Sequence, residues 1–130
     1  MILLDTHVAV WLSLEPERLS GPARKAMEKA RREGAGIAIC GETLYEIARG
    51  IVRGRIQTTY SVEVFLQKME EQFVIKQLTT QVAIAAAKMS ANYPGDPMDR
   101  VIGATALVED IPLVTADQRI REAKIVRTIW

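Results

Sequence analysis

Four acidic residues stand where a carboxylate can do chemistry: Asp5, Glu46, Asp99 and Asp117. Asp5 ends the short apolar run Ile2-Leu3-Leu4, and Asp117 follows Leu113-Val114-Thr115 by one residue. If both runs are parallel strands of one sheet, both carboxylates come to the sheet edge where ligands usually bind. Two carboxylates brought together repel, and one is driven towards protonation unless a cation lies between them. An all-oxygen donor set suits Mg2+ or Mn2+ rather than zinc. Asp99 lies in the first turn of an apolar helical stretch, and Glu46 lies on the helix after the second apolar run. Together the four would form an oxygen-rich pocket able to hold such an ion and orient a water against a phosphodiester.

Each acid also has a plainer use. Asp5 and Asp117 precede helices, where Asp is a favoured N-cap. Asp96-Pro97 is a cap followed by proline at the first helical position, so Asp96 is a secondary candidate for the site. Asp99 is then the third helical residue, where an acid answers the helix dipole. Glu46 shares a helix face with Glu42, Arg49 and Arg53, and spacing alone does not choose between the two glutamates. Thr6 and Thr115 either bond a water at the site or simply end a strand and start a helix. The single histidine, His7, and the single cysteine, Cys40, read as structural. Arg49, Arg53 and Arg55 near Glu46, Arg100 beside Asp99, and Arg119 and Arg121 near Asp117 would rim an acid pocket. Such a rim is where a polyanion needs counter-charge, and Arg49, Arg53, Arg100 and Arg119 are the candidates for binding it.

The elements that must position these groups alternate. Apolar runs at 2–4, 37–39, 73–75, 113–115 and 125–126 read as strands. Helical spacing is found at 6–14, from Ser20 to about Gly34, and at 43–52, 60–71, 79–90, 97–109 and 118–123. The helix over 97–109 is apolar nearly all round, which predicts a buried helix. Strand and helix in turn predict an α/β fold, with a central parallel sheet covered by helices on both faces. Pro and Gly fall in turns or at helix starts, which predicts one domain over residues 1–130.

The chain has 130 residues, 48% of them apolar and 25% charged, within the range of a globular domain. One cysteine excludes a disulfide framework, and one histidine excludes chemistry that needs two. No apolar stretch approaches the ~18 residues of a membrane span. With no leader pattern either, the expected compartment is the cytoplasm. Seventeen Lys and Arg against sixteen Asp and Glu leave a net charge of +1, so any basic footprint must be local. There is no Gly-x-Ser-x-Gly elbow and no phosphate-binding Gly loop.

In order along the chain, these residues resemble the PIN-domain ribonucleases, most closely the VapC-type toxins of toxin–antitoxin pairs. Ile2 through His7 is similar to the family's opening strand and first acid. Thr43-Leu44-Tyr45-Glu46-Ile47-Ala48 is similar to the helix with the second acid. Asp96-Pro97-Met98-Asp99-Arg100 with Val101-Ile102-Gly103-Ala104-Thr105-Ala106 matches the third motif, and Leu113-Val114-Thr115-Ala116-Asp117 the fourth. One departure is Tyr93-Pro94-Gly95, where family members often carry a histidine shortly before the third motif. The resemblance implies a PIN-like fold and chooses Glu46 over Glu42. It also implies a Mg2+- or Mn2+-dependent endoribonuclease acting on tRNA, rRNA or mRNA, inhibited by a VapB-type antitoxin and working as a homodimer. A phosphoaspartyl phosphatase would want Asp where His7 stands, and a receiver domain would want a late lysine that Thr115-Ala116-Asp117 does not offer. The remaining alternatives are a non-catalytic PIN-like binding or scaffold module, and a housekeeping RNA-processing nuclease of the same fold.

Overall fold

The computed structural model describes residues 1–130. Five strands form one sheet: β1 (Ile2–Leu4), β2 (Ile37–Cys40), β3 (Val74–Lys76), β4 (Leu113–Val114) and β5 (Thr128–Ile129). Their order is β3-β2-β1-β4-β5, and every neighbouring pair is parallel. Seven helices connect them: α1 (Thr6–Leu14), α2 (Gly21–Arg32), α3 (Gly41–Val52), α4 (Val62–Gln72), α5 (Thr80–Ala87), α6 (Pro97–Glu109) and α7 (Gln118–Ala123). The expected α/β architecture is therefore present.

Strand side chains alternate between two cores, as a pleated strand requires. Ile2, Leu4, Ile37, Ile39 and Val114 face a core shared with Val8, Met27, Ile47 and Phe65 of α1 to α4. Leu3, Ala38, Cys40 and Leu113 face the other core, shared with Val82, Ile102, Ala104 and Ile120 of α5, α6 and α7. Both faces of the sheet are thus covered, which explains why its strands are apolar without a polar alternation. The stretch Ile102–Ala106 of α6 is buried throughout, as its all-round apolarity predicts.

Helix starts follow side-chain caps. The hydroxyls of Ser20, Ser61 and Thr79 accept from the backbone N–H groups of Ala23, Val64 and Val82. Asp96 accepts from Met98 and Asp99 N–H, with Pro97 at the first position of α6. At the other end, Asp110 turns into the left-handed region at φ 52° and stops the helix.

One expected strand is displaced. Ile125 and Val126 do not pair; the closing strand is Thr128–Ile129. Lys124, left-handed at φ 53°, ends α7, and Val126 drops into the second core. Pairing begins only where Leu113 N–H donates to Arg127 C=O at 2.9 Å. The apolar character of 125–126 reflects packing rather than pairing.

On α3, Ile47 is fully buried and Val52 is 75% exposed. Ile47→Ala is expected to cost about 2–5 kcal/mol of unfolding free energy, because it leaves a cavity in the first core. Val52→Ala should stay within about 0.5 kcal/mol of the parent. Urea denaturation of the two variants tests the burial assigned to each face.

Candidate active site

Chain order in the sheet runs away from β1 on both sides, towards β2 on one and β4 on the other. That switch point is where open parallel sheets form a crevice beyond their strand ends. Asp5 follows β1 there and is 5% exposed. Its Oδ1 accepts from Thr6 N–H at 2.8 Å, and its Oδ2 accepts from the Thr115 hydroxyl at 2.7 Å. The register that pairs Leu4 with Val114 sets Thr115 beside Asp5. Thr115 Oγ1 in turn accepts from Asp117 N–H at 3.1 Å. Both threonines thus touch the acids, as helix and strand ends and as donors at once.

Glu46 joins from α3. Its Oε1 accepts from the Thr6 hydroxyl at 2.7 Å. Thr43 Oγ1 lies 3.0 Å from the same Thr6 oxygen. A hydroxyl has one proton to give, so with Thr6 donating to Glu46, Thr43 donates to Thr6. The sequence reading passed over Thr43, although its place three residues before Glu46 puts it on the same helix face. Glu42 has no bond to this network, and its Oε2 is buried with no partner.

Asp117 and Asp96 both serve as caps. Asp117 Oδ1 accepts from Arg119 N–H at 2.8 Å and from Ile120 N–H at 3.4 Å. Asp96 Oδ1 accepts from Met98 N–H at 2.9 Å and from Asp99 N–H at 3.2 Å. No three of the acids are already gathered tightly enough to grip a single ion. What they share is an electric field. Burial first, then Asp5, Asp96, Glu46 and Asp117 in turn, push the Asp99 carboxyl up to about 7. Glu46 is also raised, chiefly by burial, with its bond from Thr6 opposing and with Asp5 and Asp96 adding to the rise. The donor set is all oxygen and its negative charge is crowded, a combination that suits a hard divalent cation.

Beside the acids lies a groove of about 890 Å3, whose wall includes Thr6, Glu46 and Asp96. Arg49, Arg53 and Arg55 line it, as do Trp11 and Tyr45. Those three arginines are exposed and form no ion pair. Arg119 stands beside Asp117, at 3.4 Å from Oδ2. Arg100 is placed differently from the other candidate arginines. Its guanidinium donates to the carbonyls of Met89 at 3.0 Å, Ser90 at 3.4 Å and Tyr93 at 3.0 Å. It ties down the segment before α6 rather than facing the groove. His7 also lines the groove, whereas Cys40 is fully buried and its thiol is pushed up to about 11, mainly by burial.

The raised carboxyl of Asp99 gives a pH dependence whose sign is fixed. Its folded value lies above the ordinary one of 3.8, so the folded state holds the proton more tightly. The stability this contributes is complete below pH 3.8 and is lost as pH rises through about 7. Glu46 acts in the same direction. In EDTA, the melting temperature should fall between about pH 4 and 7, and Asp99→Asn should flatten that slope and raise the melting temperature above about pH 7. Thermal melts of both proteins across this range check the expectation.

Comparison with known proteins agrees with this fold. The PIN domain family model matches residues 2–126. The chain is 38% identical over 131 aligned positions to Ribonuclease VapC22 of Mycobacterium tuberculosis, covering 99% of this chain and 98% of the relative. Among solved structures, a chain of VapBC2 from Rickettsia felis, bound to a DNA fragment from its promoter, superposes with a TM-score of 0.74 at 16% identity. That match covers 98% of this chain and 97% of the other. A chain of a toxin–antitoxin complex from Klebsiella pneumoniae gives 0.69 at 20% identity, covering 100% and 97%. At such identities the structures speak for the fold alone. The family model and the Mycobacterium relative span nearly the whole sequence, and on them the chain belongs to the PIN domain family, in its VapC branch.

Proposed function

We propose that residues 1–130 act as one PIN domain, a Mg2+- or Mn2+-dependent endoribonuclease that is the toxin of a toxin–antitoxin pair. RNA cleavage is supported by 38% identity over nearly the whole chain to a protein named Ribonuclease VapC22, and the toxin role by the VapC family and by neighbours that include a toxin–antitoxin complex. The observation that supports the catalytic reading is the linkage of three of the four acids, Asp5 with Glu46 through Thr6 and Asp5 with Asp117 through Thr115. Burial first, then Asp5, Asp96, Glu46 and Asp117, lift the Asp99 carboxyl to about 7.

Asp5, Glu46, Asp99 and Asp117 would hold the ion. When bound, it supplies stabilisation of the charge that builds on the phosphate and eases deprotonation of the attacking water. The protein's part is positional. Thr6 N–H and the Thr115 hydroxyl fix both oxygens of Asp5, and the Thr6 hydroxyl fixes Glu46. Asp99 accepts no hydrogen bond from the protein in the arrangement described, so its oxygens are open to accept a proton or a cation. Asp96 lies beside it as a cap with a second oxygen to offer. Arg49 and Arg53 in the groove, with Arg119 at its edge, would hold the phosphates of a tRNA, rRNA or mRNA segment. Arg100 is left out of that set, because its donors are engaged with carbonyls.

The partner would be a VapB-type antitoxin, since the structural neighbours include toxin–antitoxin complexes. A homodimer in the cytoplasm completes the reading. No helix is long and apolar enough to cross a membrane.

Purified protein incubated with total cellular RNA should yield discrete fragments with Mg2+ or Mn2+ and none with EDTA. Asp5→Asn should reduce cleavage by roughly 100-fold or more while leaving the circular dichroism spectrum unchanged. Cleavage that survives EDTA, or full activity in the variant, would remove the metal reading. Independently, Mn2+ at about 100 times its Kd should stabilise the protein by about 2.7 kcal/mol, seen as a raised melting temperature that Asp5→Asn loses.

A further inference from the structure

Most aromatic rings of the chain already have a partner. Phe65, Phe73 and Tyr93 are buried in the two cores. Trp11 carries the Arg18 guanidinium 4.3 Å from its ring centre and meets Trp130 at 5.8 Å. Tyr60 has the Lys68 ammonium 5.0 Å from its ring centre. Tyr45 is the exception: it is 59% exposed, and neither an aromatic ring nor a cation lies against it. Helix propensity does not account for it, since tyrosine is a poorer helix former than alanine.

Its surroundings give the open ring a use. Tyr45 directly precedes Glu46 on α3, and both line the groove. Arg49 stands one turn further along, four residues after Tyr45 and three after Glu46, and Arg53 one turn beyond that. A turn is about 5.4 Å, so an acid, a ring and two guanidiniums follow one another along the wall in steps of that size. The chain after α3 folds back to add a third guanidinium. A Cβ on Gly50 would stand 2.6 Å from Ile56 Cδ1, so glycine there lets Ile56 pack on the helix. The Arg55 and Ile56 N–H groups both donate to the Gly50 carbonyl, at 2.8 and 3.0 Å. Gly54 takes the left-handed φ of 73° that this turn requires. Arg55 and Gln57, on either side of Ile56, are thereby held in the groove wall. Arg49, Arg53 and Arg55 form no ion pair, whereas Arg18 is bound to Glu15 at 3.0 Å.

Free cations along a groove beside an open aromatic face suit a single nucleic-acid strand, with phosphates on the cations and a base on the ring. A base reaches such a ring only when it is unpaired and turned out of its own stack. We propose that Tyr45 is a base-stacking residue of the groove: an unpaired RNA base lies on its ring beside Glu46, while the adjoining phosphates run along Arg49, Arg53 and Arg55. The proposal rests on the reading of the four acids as a nuclease site, which makes RNA the occupant. It accounts together for the uncovered ring and for the turn folded back at Gly50.

Binding in EDTA tests it without cleavage, by fluorescence anisotropy with two labelled probes. One is a single-stranded RNA of mixed sequence, about 12 nucleotides long. The other is inorganic polyphosphate of similar charge, which has no bases. Tyr45→Ala should weaken RNA binding by about tenfold and leave polyphosphate binding within about twofold of the parent. Tyr45→Trp should bind RNA at least as tightly as the parent, and Tyr45→Leu should resemble Tyr45→Ala. Arg53→Ala should weaken both probes and lower the salt slope of RNA binding by about 0.7, a slope that Tyr45→Ala leaves unchanged. RNA affinity of Tyr45→Ala within about threefold of the parent overturns the proposal, as does an equal loss on both probes. A parent that binds RNA but cleaves none with Mn2+ sinks the nuclease reading, and the comparison of the two probes still decides the role of Tyr45. A parent that binds neither probe overturns the proposal and leaves the groove to a peptide partner.

Discussion

The hydroxyl of Thr115 donating to the carboxylate of Asp5 is the contact on which the rest of the site depends. It joins the ends of β1 and β4, the two strands that flank the switch point, across 110 residues of sequence. A carboxylate 5% exposed is expensive to bury unless both its oxygens are hydrogen-bonded. Asp5 meets that condition with one backbone donor and one side-chain donor. The Thr115 donor exists only in the register that pairs Leu4 with Val114. A slip of one residue would move Thr115 to the other side of the sheet and leave Asp5 with half its partners. The same slip would turn Leu113 and Val114 into the wrong cores, so packing and site geometry enforce one register together.

From Asp5 the network spreads through hydroxyls rather than charges. Thr43 donates to Thr6, Thr6 to Glu46, and Thr115 to Asp5. Hydroxyls orient carboxylates without neutralising them. Arg100, next to Asp99 in sequence, is turned to the carbonyls of Met89, Ser90 and Tyr93. Arg49, Arg53 and Arg55 line the neighbouring groove without pairing to any acid. Only Arg119 bonds a member of the cluster, and its side chain is 73% exposed, where solvent weakens the pair. The negative field at Asp99 therefore stands nearly uncompensated by the protein's own cations, which is why burial and repulsion raise it so far. Charging Asp99 at neutral pH therefore costs stability, the kind of cost that clusters at functional sites.

Much of this was legible in the sequence. Alternating strands and helices gave the sheet, and an acid after the first and fourth strands gave the edge where the site lies. Asp96 and Asp117 were readable as caps, and the structure has them capping α6 and α7. Helical spacing could not separate Glu42 from Glu46, because both lie on one face; only the bond from Thr6 tells them apart, and that contact spans 40 residues. Arg100 misled for a related reason. Its position beside Asp99 suggests a rim cation, but its guanidinium is turned to nearby carbonyl acceptors of a segment about ten residues earlier. The last strand was misplaced because apolar residues that pack and apolar residues that pair look alike over two positions.

The segment before α6 shows how structural and chemical demands meet in one short stretch. An irregular segment leaves carbonyls unpaired, and burying them is costly. Arg100 answers those of Met89 and Tyr93 and adds a second donor to that of Ser90, which already accepts from Tyr93 N–H, and so fixes Tyr93 without help from regular structure. Once fixed, the ring fills the second core beside Ile102 and Met89, a task phenylalanine would do equally well. The same ring accounts for Gly103 in the middle of α6, where glycine is unfavourable by about 1 kcal/mol relative to alanine, because a Cβ there would collide with the ring carbons as well as the hydroxyl. Two locally unfavourable choices, an unpaired hydroxyl and a helical glycine, occupy the same few ångströms one turn beneath Asp99. The ring dictates the glycine, and the arginine that fixes the segment dictates where the ring goes.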